Sequence, residues 1–328
     1  MILSRKVDAS SLAFARRPDV ADMATRGPAT PDHVIRTKRI PMVGPNVAGY
    51  AAAYRDFFAN HAKGKHAKRT MLDPAPRVIV DPELGVCTAG RTAQDAAIAA
   101  DIYEHTIDII LRATALGGFE ALGASDLFDV EYWDLEQAKL ARSGKPKAFA
   151  GEVVLISGAA SGIGRACVDS FISRGAAVVG LDVNPSVTSM LSRPDFRGVE
   201  CDVAEDAQLA GAFDKAVDAY GGVDMLVINA GIFPGGQRIA DIGANEWRRV
   251  MQINLDASLD AMRLAHPLLA LSPRGGRVAI IGSKNVQAPG PGAGAYSASK
   301  AALNQLARVA ALEWGADNIR VNTIHPHG

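Results

Sequence analysis

The segment from Glu152 to Asp182 constrains the fold of this 328-residue chain more than any other part of the sequence. An apolar, β-branched run that ends at Ser157 is typical of a buried parallel strand. The glycine-rich loop 158–164 comes next, then a helical pattern closed by Gly175, and then a second apolar run that ends in Asp182. Glycines let the backbone turn tightly and approach a pyrophosphate, whose charge is attracted by a helix N-terminus. This order of elements predicts a dinucleotide-binding α/β unit, although the spacing is GxxxGxG rather than GxGxxG.

Asp182 occupies the position where an acidic residue accepts hydrogen bonds from the adenine ribose hydroxyls in dinucleotide-binding folds. A carboxylate at this point repels the 2′-phosphate of NADP. The sequence therefore favours NAD over NADP. The alternative is a solvated aspartate at the end of a strand.

Three polar residues further along the chain indicate an acid/base site. Tyr296 and Lys300 are four residues apart, so on a helix their side chains share one face. A phenol loses its proton at about pH 10, and a fixed positive charge nearby lowers that pKa, which makes Tyr296 a candidate acid/base near neutral pH. Ser283 closes a strand-like run, where its hydroxyl is available to bond a reacting oxygen. Because Tyr-x-x-x-Lys is also common on ordinary helix surfaces, the prediction depends on its combination with the glycine loop.

From residue 151 onward, strand-like and helix-like patterns alternate, which predicts a parallel sheet covered by helices on both faces. The predicted strands are 152–157, 176–181, 197–201, 224–228, 277–282 and 319–323. The predicted helices are 163–174, 205–220, 243–270 and 295–315. The last helix is apolar around most of its circumference, so one side is expected to pack on the sheet and the other to meet a second subunit. With helix 243–270 it would form the contact of a homo-oligomer. The alternative is an alanine-rich helix without a partner.

Residues 148–328 resemble the short-chain dehydrogenase/reductase family, which implies a doubly wound, Rossmann-like parallel sheet. The matching motifs are Ser157-Gly-Ala-Ala-Ser-Gly-Ile-Gly164, Cys201-Asp202-Val203, Asn229-Ala230-Gly231, Asn254, Ser283 and Tyr296-x-x-x-Lys300. The cofactor-binding residues that this resemblance implies are Gly158, Ser161, Gly162, Ile163, Gly164, Asp182, Asp202, Val203, Asn229, Ala230, Gly231, Tyr296 and Lys300. Among them, Asp202 and Val203 would border the adenine, and the segment 229–231 would support the sheet near the cofactor.

The same resemblance implies four catalytic residues. Tyr296 would exchange a proton with the substrate oxygen, and Lys300 would bind the nicotinamide ribose and tune the tyrosine. Ser283 would orient the substrate carbonyl or hydroxyl. Asn254 matches the fourth residue, which holds a proton-relay water near the lysine. An asparagine inside a helix can instead bond its own backbone.

The first 150 residues show fewer recognisable patterns. Residues 1–46 are polar, and the segment 27–38 is predicted to be an ordered loop because two prolines interrupt it. Helices are predicted at 47–61, 91–116 and 125–142, a strand pair at 76–80 and 85–88, and a linker at 143–150. The sequence thus predicts a smaller N-terminal α/β domain, 1–142, before the dehydrogenase domain, 151–328.

The N-terminal part resembles the end of the aldolase half of bifunctional rhamnulose-1-phosphate aldolase/short-chain dehydrogenases. The matching stretches are Thr30-Pro-Asp-His-Val-Ile-Arg-Thr-Lys38, Pro76-Arg-Val-Ile-Val80, Ala89-Gly-Arg-Thr92 and Asp129-Val-Glu-Tyr-Trp-Asp-Leu-Glu-Gln-Ala-Lys139. Such aldolases bind a divalent metal through histidines that include a His-x-His pair. Residues 1–150 contain no such pair, and His325-Pro-His327 lies at the other end of the chain. Neither a metal site nor aldolase activity is therefore expected. For His33 and Arg36, a loop or core role is favoured over the edge of a former substrate site.

Composition argues against several other classes of function. The 35 basic and 35 acidic residues balance, and the basic stretch 63–69 is interpreted as a solvated loop, so nucleic acid is not an expected partner. The longest apolar runs are too short to cross a membrane, and the first residues lack the apolar core of a secretory signal. Cys87, Cys167 and Cys201 follow neither metal nor disulfide spacing, which fits a reducing cytoplasm.

Three functions remain as hypotheses. The favoured one is an NAD-dependent oxidoreductase that moves a hydride between nicotinamide and a small alcohol or carbonyl substrate, sugar-derived by analogy with the aldolase half. Family members continue past the strand at 319–323 with a segment that lines the substrate, whereas 28 residues follow Lys300 here. The second hypothesis is therefore a nucleotide-binding module without turnover. The third is an aldolase-type carbohydrate enzyme.

Overall fold

The computed structural model describes residues 1–6, 8–64, 68–141 and 144–326. The chain forms two compact units, Met1–Lys147 and Ala148–Gly328. The boundary falls within the segment predicted to be a linker. Ser143 in that segment, part of the basic stretch 63–69, and His327 lie outside the described residues. Phe149 belongs to the second unit, where its ring packs 5.2 Å from that of Phe171.

The first unit contains a four-stranded sheet with the order β1-β4-β3-β2. Its strands are β1 Ile2–Lys6, β2 Met42–Val43, β3 Val78–Asp81 and β4 Gly85–Gly90. β3 and β4 form the predicted strand pair, which is antiparallel, and Gly85 at the start of β4 has φ +78°, a backbone conformation that favours glycine. The sequence did not predict β1, which pairs with β4, or β2, which pairs with β3.

The α-helices of this unit are α1 Ala9–Ala15, α2 Val20–Ala24, α3 Val34–Thr37, α4 Val47–His61, α5 Ala93–Ala115, α6 Ala124–Glu131 and α7 Asp134–Ala141. The long helix α5 begins where the hydroxyl of Thr92 accepts the N–H of Asp95 at 3.1 Å. Its apolar face buries Ala96, Ala99 and Ile110, as its amphipathic pattern predicts.

Two predictions in this unit were wrong. The segment predicted as a loop contains a 3-10 helix, Pro31–His33, followed by α3. A proline in the first turn of a helix loses no hydrogen bond, so Pro31 begins the helical segment instead of preventing it. The predicted helix 125–142 is two helices, α6 and α7. The Gln137 side chain donates to the carbonyl oxygen of Glu131 at 2.6 Å and so satisfies a carbonyl at the end of α6.

A buried ion pair lies in the first unit. Lys38 Nζ is 3.4 Å from Glu131 Oε1, and the side chains are 4% and 0% exposed. The hydroxyl of Tyr54 donates to the same carboxylate oxygen at 3.0 Å. Burial lowers the pKa of Lys38 to about 8 and raises the pKa of Glu131. Lys38 also has φ +67°, which is costly for a residue with a side chain.

The second unit contains a six-stranded sheet in which every pair of neighbouring strands is parallel. Its strands are β5 Val153–Ser157, β6 Ala177–Asp182, β7 Phe196–Glu200, β8 Met225–Ile228, β9 Gly276–Ile281 and β10 Ile319–Ile324, in the order β10-β9-β8-β5-β6-β7. The chain moves outward from β5 to β7 and then returns to place β8 beside β5. In doubly wound sheets, ligands bind at such a switch point, beyond the carboxyl ends of the strands.

The α-helices of the second unit are α8 Gly162–Ser173, α9 Asp206–Tyr220, α10 Ala244–Met251, α11 Ala257–Leu269 and α12 Gly294–Glu313. The predicted doubly wound α/β fold, with a smaller N-terminal α/β unit, is confirmed. The helix predicted at 243–270 is interrupted by a π-helical segment, Gln252–Asp256, after which the N–H of Ala257 donates to the carbonyl of Gln252, five residues earlier. Among the described residues, no helix has the length and apolar character needed to span a bilayer.

Candidate active site

The glycine loop lies at the switch point, between β5 and α8. Gly158 and Gly162 have φ of +69° and +53°, in the left-handed region that favours glycine. A Cβ on Gly164 would lie 1.9 Å from the Gly158 carbonyl oxygen, so a side chain cannot fit there. A Cβ on Gly162 would meet no atom within 4 Å, and the neighbouring Ser161 and Ile163 are exposed. Since the first N–H groups of a helix have no partner within it, the start of α8 suits a phosphate.

Asn229, directly after β8, ties the glycine loop to the next strand. Its side-chain amide donates to the carbonyl oxygens of Ser157 and Gly158 at 3.0 and 3.1 Å. The Ser157 hydroxyl accepts the N–H groups of Asn229 and Ala230 at 3.0 and 3.1 Å. These four bonds fix the loops after β5 and β8 relative to each other.

Asp182, at the end of β6, also contacts the glycine loop. One carboxylate oxygen accepts the N–H of Ala160 at 2.9 Å, and the other accepts the N–H of Asn184 at 2.9 Å. Each oxygen keeps a second lone pair, so the carboxylate is still able to accept hydrogen bonds from a ligand. Asp202 and Val203 follow β7, where the Asp202 carboxylate accepts the N–H of Ala204 at 3.0 Å.

Tyr296 and Lys300 lie in the first turns of α12. Lys300 is 4% exposed, and its ammonium donates to the carbonyl oxygen of Ile281 at 2.8 Å, at the end of β9. Burial lowers the pKa of Lys300 to about 8. The ammonium nitrogen is 5.9 Å from the centre of the Tyr296 ring, and the Phe233 ring packs edge-on against that ring at 5.2 Å.

Gly231 connects this pair with the nucleotide-binding loop. A Cβ on Gly231 would lie 3.5 Å from Lys300 Nζ and 3.1 Å from Asn254 Oδ1. The preceding residues Asn229 and Ala230 contact the glycine loop. The loop after β8 therefore contacts the predicted phosphate site at one end and the buried lysine at the other.

Ser283 follows β9 and begins a 3-10 helix, Lys284–Val286. Its hydroxyl oxygen accepts the N–H of Asn285 at 3.1 Å, which leaves its own hydrogen free to donate. His325 packs against its backbone, with Nδ1 3.2 Å from the Ser283 nitrogen and 3.0 Å from the Ser283 carbonyl oxygen. In the part of the chain that the structure describes, no group of three or more His, Cys, Asp or Glu side chains is arranged to hold a metal.

Asn254 lies in the π-helical segment and is 0% exposed. Its side-chain oxygen accepts the N–H of Ile232 at 2.8 Å, and its amide donates to the Ile232 carbonyl at 3.0 Å. The amide also donates to the Ser299 hydroxyl at 3.1 Å. The side chain thus bonds the loop after β8 and α12, whereas the alternative drawn from the sequence was a bond to its own backbone. The Ser258 hydroxyl donates to the Asn254 carbonyl at 3.0 Å.

Phe233 and Ser299 are part of this site but were not singled out in the sequence, and Ser157 was named only as the residue where the glycine motif begins. Ser299 directly precedes Lys300, yet its partner Asn254 is 45 residues away. Ser157 bonds residues more than 70 positions further on. Sequence spacing gives no indication of such pairs.

A glycine loop at the switch point of a doubly wound sheet, with a half-buried tyrosine and a buried lysine near the end of β9, defines a class of dinucleotide-binding α/β proteins. The chain belongs to the short-chain dehydrogenase family, whose model matches residues 152–328. Residues 1–140 match the second domain of class II aldolases. The architecture is therefore that of an aldolase–dehydrogenase fusion, as the resemblance in the sequence indicated.

Similar proteins include oxidoreductases of several kinds. The uncharacterized oxidoreductase YuxG of Bacillus subtilis is 29% identical over 351 residues, which cover 99% of this chain and 50% of YuxG. The chain thus spans about half the length of that relative. A 3-alpha-(or 20-beta)-hydroxysteroid dehydrogenase of Mycobacterium tuberculosis is 36% identical over 183 residues, 54% of this chain and 68% of that protein. The crystal structure of a 3-ketoacyl-(acyl-carrier-protein) reductase from Brucella melitensis, complexed with NADH, has a TM-score of 0.53 at 25% identity and covers 55% of this chain and 76% of that one.

His33 and Arg36 have partners within the first unit. His33 Nδ1 lies 2.5 Å from the Thr30 hydroxyl oxygen, and Arg36 pairs with Asp95 of α5 at 3.2 Å. His33 ends the 3-10 helix and Arg36 lies in α3, so neither is in a loop, and the preference for a structural role over a former substrate edge stays a prediction.

Proposed function

We propose that this protein is an NAD-dependent oxidoreductase that transfers a hydride between nicotinamide and a small alcohol or carbonyl compound. The observation that carries the proposal is the loop after β8. Asn229 bonds the glycine loop, and Gly231 packs against Lys300 and Asn254. A phosphate site and an acid/base pair therefore share one edge of the sheet. Family membership and the likeness to a reductase complexed with NADH support a nicotinamide cofactor.

The residues present fit a dinucleotide. The open space at Gly162 leaves room for a pyrophosphate at the start of α8, and the absence of a side chain at Gly164 lets that helix pack closely against the Gly158 carbonyl. Asp182 would accept the adenine ribose hydroxyls, and its charge opposes a 2′-phosphate, which supports NAD over NADP. The other residues that would contact the cofactor are Gly158, Ser161, Ile163, Asp202, Val203, Asn229, Ala230, Gly231, Tyr296 and Lys300.

A bound nicotinamide supplies the hydride chemistry, and the side chains of this protein handle the proton and the substrate oxygen. Tyr296 holds the proton that passes to or from that oxygen. Ser283 donates its free hydroxyl hydrogen to the same oxygen. After its bond to Ile281, Lys300 keeps further N–H donors for a ribose, and its charge stabilises negative charge on the Tyr296 oxygen. Asn254 holds the loop after β8 against α12.

The match to class II aldolases supports a sugar-derived substrate. In the bifunctional arrangement, the dehydrogenase half would act on a carbohydrate compound related to the aldolase reaction. The cytoplasmic location expected from the sequence stays a prediction.

The proposal predicts that Tyr296→Phe lowers kcat by at least about a hundredfold while the Kd for NADH stays within about twofold, because phenylalanine keeps the ring beside the cofactor and loses only the hydroxyl that transfers the proton. NADH fluorescence titration and an assay on a panel of alcohols and aldoses measure both quantities. Tyr220→Phe is the matched control, since that phenol donates to the Pro194 carbonyl just before β7, and the variant is expected to leave turnover unchanged. NADH binding by the wild-type protein without any turnover would support the alternative of a nucleotide-binding module instead.

Titration with NADH and NADPH tests the proposed preference for NAD over NADP. NADH should bind more tightly than NADPH, and Asp182→Asn should reduce that preference by roughly tenfold, because it removes the charge but keeps an oxygen for a backbone N–H. An unchanged preference would reject the assignment of Asp182 to the ribose.

A further inference from the structure

Ser299 has two hydrogen-bond partners, one in the π-helical segment and one on its own helix, α12. The Asn254 amide donates to its hydroxyl oxygen at 3.1 Å, and the hydroxyl donates to the carbonyl oxygen of Tyr296 at 2.8 Å. Ser299 and Asn254 are both 0% exposed. Because Asn254 also bonds both backbone groups of Ile232, one chain of hydrogen bonds runs from the loop after β8 to the backbone of Tyr296.

A serine that bonds a carbonyl one turn earlier is common in helices, and that bond alone indicates no function. The second bond distinguishes Ser299 from such serines, because its hydroxyl oxygen also accepts a hydrogen bond from Asn254 in the π-helical segment. Ser297, two residues earlier on α12, provides the comparison. Its hydroxyl is buried and has no hydrogen-bond partner among the described residues.

We propose that Ser299 is a positioning residue for Tyr296, an inference that rests on the proposed role of Tyr296 as acid/base. Its hydroxyl orients the first turn of α12 so that the phenol and Lys300 keep their mutual geometry, and it joins that turn to the loop that carries Phe233. The side chain of Phe233 packs on the Tyr296 ring. The loop after β8 therefore contacts Tyr296 twice, through this ring and through the hydrogen bonds that end at the Tyr296 carbonyl. Small displacements of a catalytic group are costly, since productive geometry requires reacting atoms at close and fixed distances.

The test compares Ser299→Ala with Ser297→Ala in the full chain. Ser299→Ala should lower kcat about tenfold and leave the Kd for NADH within about twofold, because loss of a buried hydrogen-bonding group near the site acts on the chemical step. Ser297→Ala, which removes a hydroxyl without a partner, should leave kcat unchanged. Ser299→Thr retains the hydroxyl and should restore most of the turnover.

Amide hydrogen exchange provides a second readout that does not need turnover. In Ser299→Ala, segments 229–235 and 294–300 should exchange about tenfold faster, while Ser297→Ala should match the wild-type protein. Equal exchange and equal kcat in the two alanine variants would overturn the proposal. If Tyr296→Phe leaves turnover unchanged, the proposed function fails, and the exchange rates still decide whether Ser299 holds the two segments together.

Discussion

Lys300 shows how burial changes the behaviour of a single residue. Its pKa is lowered to about 8 by burial, whereas a lysine in an unfolded chain titrates at about 10.4. Between these values the unfolded chain binds more protons than the folded protein, so the free energy of unfolding rises with pH across this window. The charged form of Lys300 therefore costs stability at neutral pH, where the proposed chemistry needs it.

Lys300→Met removes this titration. Between pH 7 and about 10.5, the free energy of unfolding of the wild-type protein should rise by roughly 2–3 kcal/mol relative to the Lys300→Met variant. Urea unfolding of both proteins across that range measures the difference. Lys215→Met, which removes an exposed lysine of α9, serves as the control and should follow the wild-type curve. A Lys300→Met curve parallel to the wild type would show that burial does not shift this lysine.

The positions of the main site residues could be predicted from spacing, but their contacts could not. Tyr296 and Lys300 are one helical turn apart, and the glycines follow a strand, so local periodicity is enough to find them. The bond between Asn254 and Ser299, in contrast, depends on two helices that meet 45 residues apart in the chain. His325 reaches the backbone of Ser283 only because β10 lies beside β9.

At the scale of elements, the glycine loop separates two requirements for glycine. At Gly164 the requirement is space, because a Cβ would lie 1.9 Å from the Gly158 carbonyl oxygen. At Gly162 it is backbone conformation, because φ is +53° and the surrounding space is open. Alanine substitutions at the two positions are therefore expected to have different effects on stability and on NADH binding.

Gly164→Ala should destabilise the protein by about 2 kcal/mol or more even without cofactor, since the loop must move to admit the methyl group. Gly162→Ala should cost roughly 1 kcal/mol of stability, from its left-handed conformation, but weaken NADH binding at least about tenfold by projecting a methyl group into the phosphate site. Thermal unfolding and NADH titration of both variants separate these effects. The reverse order of stabilities would contradict the geometry of the loop.

The strands of the second unit were predicted accurately, whereas β1 and β2 of the first unit were not predicted. Strands β5, β6 and β8 are short apolar runs buried along almost their whole length, whereas the edge strands β7 and β10 alternate buried and exposed residues; the predicted bounds of β5 to β10 lie within one residue of the observed ones. In the first unit, β2 has two residues, and β1 lies at the start of a polar segment, so neither forms a pattern that is long enough to recognise. The π-helical segment was missed because its five residues are too few for a change of helical period to be recognised in the sequence.

At the scale of the whole molecule, we propose a homo-oligomer formed through the helices at 243–270 and 295–315. Large apolar side chains on their outer surfaces support this proposal, since Leu259 of α11 and Val309 and Leu312 of α12 are 41%, 40% and 84% exposed. Large exposed apolar side chains on both helices are the kind of surface that an interface between subunits buries. The sequence indicated which helices are involved, but not the number of subunits.

Leu312→Asp should shift the protein toward monomer, because a charge in the centre of an apolar contact is left unpaired. Light scattering after size-exclusion chromatography measures the mass. Leu116→Asp is the matched control, since Leu116 in the first unit is 90% exposed and lies on neither helix. A mass equal to one chain for the wild-type protein would remove the basis of this proposal.

The π-helical segment at 252–256 also limits how this protein can be redesigned. It holds one residue more than an α-helix of the same course would, and each residue of an α-helix turns the chain by about 100°. Deleting that extra residue would restore regular helical bonding, yet it would rotate everything on one side of the cut away from its present neighbours. The Asn254 amide would then no longer reach both Ile232 and Ser299. A regular helix would therefore lose the hydrogen bonds that join this segment to the loop after β8 and to α12. Making the segment a regular α-helix is for this reason an unsuitable route to a more stable variant.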